Sequence, residues 1–205
     1  MMKRSNPSLF FVLIMMSCFA CSKANEQKPR NGDLIFHTSK SQQSGFIQTI
    51  TGSPLSHVGV IYVKDDRTLV LEAVNPVKIT PLENWINRGS DRNYVLMRPH
   101  TALTDKELKH MLVYGMKNLG KPYDIRFQWS DKHMYCSELV YKIYLAAGIE
   151  LCPIRRFKDF NLSSEAAIRE ISRKYGLESL NTDESVVSPA DLRNSSKLKV
   201  ITDTY

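Results

Sequence analysis

The stretch KHMYCSELVYKIYLAAG, Lys132 to Gly148, sets one cysteine directly ahead of an apolar run with helical spacing. Leu139, Ile143 and Ala147 fall on one stripe, Val140 and Tyr144 lie beside it, and Gly148 suits the C′ position where a helix ends. Cys136 therefore stands at a helix N-terminus. There the unpaired N–H groups of Ser137 and Glu138, together with the helix dipole, favour a thiolate over a thiol. The alternative for this residue alone is a small buried side chain, a common fate of free cysteine.

The amino terminus bears on which other cysteines count. Lys3 and Arg4 precede the apolar run LFFVLIMM, Leu9 to Met16, which is too short to span a bilayer, and SCFACS follows. This pattern is expected to be an export signal. Ala20-Cys21-Ser22 also resembles a bacterial lipobox, with Cys18 where leucine is usual, so Cys21 is the expected lipidation site and a plainly cleaved signal the alternative. Residues 1–21 are then the signal, the polar segment 22–31 a tether, and 32–205 one domain. The mature protein is expected in a bacterial cell envelope, either periplasmic or anchored to the membrane through the lipid.

Two cysteines remain, Cys136 and Cys152, and an even count in an exported protein invites a disulfide. A helix of about a dozen residues would separate them by roughly 18 Å. A disulfide needs Cα atoms within about 7 Å. Both are expected to be free.

The domain sequence shows no repeat and no low-complexity tract. Its charge, +7 over 205 residues, is scattered, and no Lys/Arg block interleaves with aromatics, so no nucleic-acid partner is expected. No HExxH, CxxC, P-loop or GxGxxG pattern is present, and neither a metal nor a cofactor is expected. His37, His100, His110 and His133 are scattered, and the basic cluster Arg155, Arg156 and Lys158 reads as a solvated loop.

GDLIFHT (Gly32 to Thr38) reads as a first strand, followed by a short helix near Gly45 to Ile50. HVGVIYV (His57 to Val63) and TLVLEAV (Thr68 to Val74) read as the arms of a hairpin across KDDR, and NYVLMRP (Asn93 to Pro99) as a further strand. Thr104 and Glu107 form a capping box, and Leu103 and Leu108 a hydrophobic staple, at the start of a helix whose buried stripe is Leu108, Met111, Leu112 and Gly115. A helix over Ser164 to Tyr175, stopping at Gly176, and a helical turn at SPADL with Ser188 as N-cap and Pro189 at N1 complete an α+β order.

The hairpin supplies a base for the thiol. Pairing Val63 with Thr68, or Lys64 with Arg67, puts His57 and Gly59 on one face with Glu72, diagonal to His57 and within reach of its ring. A three-residue loop would reverse the parity and turn Glu72 away. Glu72 sits in an apolar run, where a carboxylate needs a partner. Loop-edge histidine and solvent-side glutamate are the alternatives.

GKPYD (Gly120 to Asp124) followed by YCSELV (Tyr135 to Val140) resembles the signature of the NlpC/P60 cysteine peptidases. The histidine strand SHVGV precedes the cysteine here, as in the circularly permuted branch, and NGDLIF, LEAVNPVKITPLENWI and VSPADL fit its YiiX/YebB-like hydrolases across Asn31 to Leu192. The resemblance implies a permuted papain-like fold, an antiparallel sheet packed against helices. It implies Cys136 as nucleophile, His57 as base, Glu72 as the residue that orients it, and Tyr123 near the oxyanion site with the Cys136 N–H. Tyr135 and Glu138 stand where murein-cleaving members carry Asp and Gly, which puts murein peptide specificity in question at Tyr135 and the adjacent Ser137. The implied function is cleavage of a peptide, isopeptide or lipid-amide bond, or an ester, through a thioacyl enzyme. Acyl transfer of the lecithin–retinol acyltransferase type and a non-catalytic envelope binding module are the rivals.

Overall fold

Six antiparallel strands form the central sheet in the order β4-β3-β2-β1-β5-β8. They are β1 (Leu34–His37), β2 (His57–Lys64), β3 (Arg67–Glu72), β4 (Lys78–Pro81), β5 (Val95–Pro99) and β8 (Leu198–Asp203). A two-stranded sheet pairs β6 (Arg155–Arg156) with β7 (Ser185–Val186). The helices are α1 (Ser44–Thr51), α2 (Leu82–Asn87), α3 (Asp105–Lys117), α4 (Cys136–Ala146), α5 (Glu165–Lys174) and α6 (Pro189–Arg193). This computed structural model describes residues 27–174 and 181–205. The expected export signal with Cys21, half of the expected tether, and Tyr175 and Gly176 lie outside the described residues.

The α+β order follows the sequence expectation, and the hairpin register does too. Val63 pairs with Thr68 and Lys64 with Arg67, around a two-residue turn in which Asp65 and Asp66 both have positive φ, 49° and 59°. Such a turn matches the right-handed twist of the arms, and aspartate tolerates the left-handed region better than most residues. The ladder continues to Val60–Leu71, and alternation then sorts the side chains. Val58, Val60 and Leu71 point into one core with Leu139, Val140 and Ile143 of α4 and Met111 of α3. Ile61 and Val70 point the opposite way, to Trp85 and Ile86 of α2.

Gly59 is the one hairpin position where a side chain has no room. A Cβ there would press into Val70 Cγ1 and sit 3.1 Å from the Leu71 carbonyl oxygen and 3.5 Å from Glu72 Cβ. Gly59→Ala is expected to destabilise the domain by about 1–3 kcal/mol through overpacking. Urea unfolding measures it, and an unchanged midpoint would refute the tight approach.

The capping box of α3 is formed, with Glu107 N donating to Thr104 Oγ1 at 3.3 Å and Thr104 N to Glu107 Oε2 at 2.7 Å. Leu103 and Leu108 both pack against the main core. At the far end of α4, Gly148 has φ +77°, its N–H bonds to Leu145 O, and the Ile149 N–H bonds to Tyr144 O, which is a Schellman ending. Ser188 caps α6 with Pro189 at its first position.

Three features depart from the sequence reading. The strand β8 was not anticipated. It is an edge strand, well buried only at Leu198, so its alternation is weak. β4 and α2 were not separated, because elements of four and six residues carry too little periodicity. The domain also begins before residue 32. The Lys28 carbonyl accepts from Arg98 Nη2 at 2.7 Å, the Arg30 N–H donates to Asp33 Oδ2 at 2.8 Å, and Asn31 Oδ1 accepts from the Val63 N–H at 2.6 Å. The last residues assigned to the tether are thus docked on the sheet.

Candidate active site

Cys136 opens α4, and the start of this helix is fixed by Glu138 rather than by a small polar N-cap. Glu138 is fully buried and accepts from the Tyr135 N–H at 3.4 Å, the Ser130 N–H at 3.2 Å and Lys142 Nζ at 2.8 Å. Burial pushes its pKa up to about 7, against the opposing pull of the Lys142 ammonium. The helix N-terminus meets the end of the sheet where β2 begins and β3 stops. Cys136 is 1% exposed, and its sulfur accepts from the backbone N–H groups of Val58 and Ser137.

His57 and Glu72 meet as the hairpin parity requires. His57 Nε2 lies 2.7 Å from Glu72 Oε2. The other carboxylate oxygen, Oε1, accepts from the Thr80 hydroxyl at 2.5 Å and from Arg88 Nη2. Glu72 is wholly buried, so these partners are what make its charge tolerable there. With Nε2 engaged by Glu72, the hydrogen bond between the ring and Cys136 falls to Nδ1.

Burial opposes charge at all three groups, and their mutual contacts overcome it. Burial would lower His57, yet hydrogen bonds and charge attraction from Cys136 and Glu72 raise it to about 9. Burial would raise Glu72, yet the His57 contact, the Thr80 hydroxyl and the Arg88 charge bring it down to about 2. Burial would raise the Cys136 thiol, yet His57 and the Val58 and Ser137 N–H groups hold it below its ordinary value. The contacts favour the thiolate, the imidazolium and the carboxylate together.

His37 is a neighbour that sequence reasoning set aside as scattered. It pairs directly opposite His57 across β1 and β2, with ring centroids 5.2 Å apart. It stacks on Trp85 at 3.9 Å and 19°. Burial, then the His57 charge, lowers its pKa to about 2, so it stays neutral beside the imidazolium. His57 is also stacked 5.8 Å from Trp85, so His37 and Trp85 limit how its ring can turn. Recognising that β1 pairs with β2 would have exposed His37. Thr80 and Arg88 were missed because β4 and α2 were not legible, although the need of Glu72 for a partner was.

Tyr123 is half-buried and lines an open cleft of about 610 Å³ together with His37, His57, Arg88 and Ile125. A backbone bridge to Met134 holds its segment beside the residues that lead into Cys136. Asp124 braces the loop by accepting the N–H groups of Arg126 and Gln128, both at 2.8 Å. Ser137 and Tyr135 line a small, mostly apolar pocket together with Cys136. The Ser137 hydroxyl donates to Val187 O at 2.7 Å, and the Tyr135 hydroxyl accepts from the Val187 N–H at 3.4 Å. Both side chains are buried, and these two bonds tie the start of α4 to the segment before α6.

Both described cysteines are free. Cys152 is half-buried, and burial pushes its thiol up to about 12, the opposite of Cys136. The basic cluster is engaged in local structure: Arg155 pairs with Asp191 and covers the Phe160 ring, and Lys158 pairs with Asp183. Among the described residues no helix is long and apolar enough to cross a membrane.

A histidine strand that precedes a cysteine helix, both at one end of an antiparallel sheet, defines the permuted papain-like class. The family described as permuted papain-like amidase enzyme, YaeF/YiiX, C92 family, matches residues 28–202, and the chain belongs to it. The protein YiiX of Escherichia coli strain K12, itself described as uncharacterized, is 35% identical over 190 residues, which cover 92% of this chain and 94% of the relative. A crystal structure described as metalloprotein yiiX from Escherichia coli O157:H7 aligns with a TM-score of 0.83 at 36% identity, covering 86% of this chain and 98% of that one. Family membership supports a hydrolase of the amidase kind.

Proposed function

We propose that the protein is a cell-envelope thiol hydrolase that cleaves an amide, or an ester, through a thioacyl enzyme, with Cys136, His57 and Glu72 as its catalytic set. The observation that carries this reading is the single imidazole shared between a thiol held below its ordinary pKa and a wholly buried carboxylate. The Cys136 thiolate adds to the carbonyl carbon, and the oxyanion takes hydrogen bonds from the Cys136 N–H and the Tyr123 hydroxyl. His57 gives its Nδ1 proton to the departing amine as the C–N bond breaks. Water then attacks the thioester, His57 takes its proton, and the thiolate leaves with the acid released. Glu72 keeps the proton on Nε2 and balances the imidazolium throughout. The expected export signal and lipidated Cys21 put this chemistry in the envelope, on a peptide, a cell-wall fragment or an acyl or amide lipid.

One relative is described as a metalloprotein. Among the described residues no group of three or more His, Cys, Asp or Glu is arranged to hold a metal ion, and His57, Glu72 and Cys136 already satisfy one another. The residues present do not fit a metal centre, and no step runs through one.

Acyl trapping tests the reading. Mixing the protein with an activated acyl ester and quenching in acid is expected to leave one hydroxylamine-labile acyl group on Cys136 by intact and peptide mass. A Cys136→Ala protein that still acquires the group, or an adduct elsewhere, would overturn it. The mass of the mature N-terminus from a membrane fraction tests the anchor, since lipidation predicts a chain that starts at an acylated Cys21.

A further inference from the structure

The cleft that His57 lines has an uneven charge. Besides the His57 imidazolium, its lining residues include two cations, Lys40 and Arg88, and no carboxylate. Glu72, the nearest acid, lies fully buried beneath the ring of His57 and the guanidinium of Arg88, and offers nothing to the cleft. Arg88 spends one nitrogen on Glu72 while its side chain stays 40% exposed. Lys40 is exposed and forms no ion pair or hydrogen bond among the described residues. The remaining wall is neutral, with Gln43, Asn75, Tyr123 and Ile125 among its residues.

We infer that the cleft recognises a substrate carrying a carboxylate close to the bond that is cut, with Lys40 as the principal recognising cation and the exposed edge of Arg88 as the second. This deepens the proposed hydrolase reading and rests on it. The Cys136 thiolate is matched by the His57 imidazolium, and Glu72 by Arg88, so the charge left over in the cleft is that of Lys40. Its field is felt inside the site, since Lys40 is among the cations that depress His37. A cationic substrate group would meet repulsion there, and a neutral one would gain nothing from it. The carboxylate would come from an acidic side chain or from a chain terminus.

Alkylation of Cys136 by iodoacetate and by iodoacetamide isolates the effect, because the two reagents differ mainly in one negative charge. Rates at neutral pH are normalised to the same pair of rates on N-acetylcysteine. The iodoacetate preference at Cys136 is expected to exceed that of the free thiol, and Lys40→Gln to reduce it by about fivefold, the worth of one partly exposed charge pair. Lys40→Glu should reduce it further. Lys106→Gln, on the exposed face of α3, should leave it unchanged. The contribution of Lys40 should also shrink between about 0.01 M and about 1 M salt. If both reagents label Cys136 and the ratio ignores Lys40, this inference fails while the hydrolase reading stands. If neither labels Cys136 in preference to Cys152, the hydrolase reading fails and takes this inference with it. Fluorogenic amides with Glu, Gln or Lys beside the cut bond, each with a free or amidated terminus, then assign the carboxylate. Faster cleavage of the Glu series indicates a side chain, faster cleavage of the free-terminus series indicates a terminus, and equal cleavage of all overturns the inference.

Discussion

Replacing His57 with alanine is expected to abolish turnover by about 10⁴-fold or more and to move the reactivity of Cys136 to higher pH. The magnitude is that of removing one member of a nucleophile–base pair that works as a unit. The pH shift follows from what holds the thiol down. Burial acts on Cys136 in the raising direction, and the hydrogen bond and charge of His57 are the largest opposing influences. Without the ring, only the Val58 and Ser137 N–H groups remain, and the thiol should titrate at or above the ordinary value of about 8.5. In the wild type, alkylation should set in at lower pH than in His57→Ala. The upper limit comes from the partner: His57 is raised to about 9, so the ion pair is intact at neutral pH and lost as pH rises through that value. The stability this pairing contributes is fully present below about 6.5, where an unfolded histidine is also protonated, and disappears on the way up through about 9. Alkylation rate against pH in the two proteins measures the shift, with Cys152, pushed up to about 12, as the slow internal reference. A Cys136 that titrates identically with and without His57 would mean that the pair does not operate.

The second large effect is expected from Glu72→Gln, which removes a charge while keeping the shape. Both carboxylate oxygens are acceptors now, Oε2 for His57 and Oε1 for Thr80 and Arg88. A glutamine has only one oxygen to give. If it faces Thr80 and Arg88, its amide N–H₂ meets His57 Nε2 and forces the proton onto Nδ1, the wrong tautomer for accepting the thiol proton. If it faces His57, the amide donors oppose those of Thr80 and Arg88. Activity is expected to fall about 10³-fold or more, by comparison with other triads that lose the orienting carboxylate. Removing one partner of a buried ion pair costs about 3–5 kcal/mol. Arg88 is partly exposed and can recover some hydration, so about 3 kcal/mol is expected by urea unfolding. Acid should imitate the substitution only at the extreme. Glu72 is lowered to about 2, so its contribution is in place above about 4.5 and is lost as pH falls through about 2. Retention of wild-type stability and turnover in Glu72→Gln would show that the carboxylate is a bystander.

These two residues show how far the sequence reaches. The His57–Glu72 contact was legible because it depends on local quantities: a two-residue turn, alternation of side chains along two arms, and the intolerance of an apolar run for an unpaired acid. The helix behind Cys136 was legible for the same kind of reason, a 3.6-residue period with a glycine at its end. Separation of Cys136 from Cys152 followed from helix length alone.

What lay beyond the sequence is everything set by the meeting of distant segments. His37 and His57 are both visible as histidines, but that they stack on Trp85 depends on β1 lying beside β2 and on a six-residue helix folding across the sheet. Thr80 and Arg88 reach Glu72 from two such short elements, whose periodicity is too brief to announce them. Ser137 and Tyr135 sit beside Cys136 in sequence, yet their hydroxyls turn to Val187, some 50 residues on. The sequence by itself determined which groups are candidates to carry the chemistry, because residue type, local period and turn length are properties of neighbouring residues. Only the tertiary structure decided what surrounds them, because which segments pack together is fixed by burial across the whole chain, a quantity that no short stretch contains.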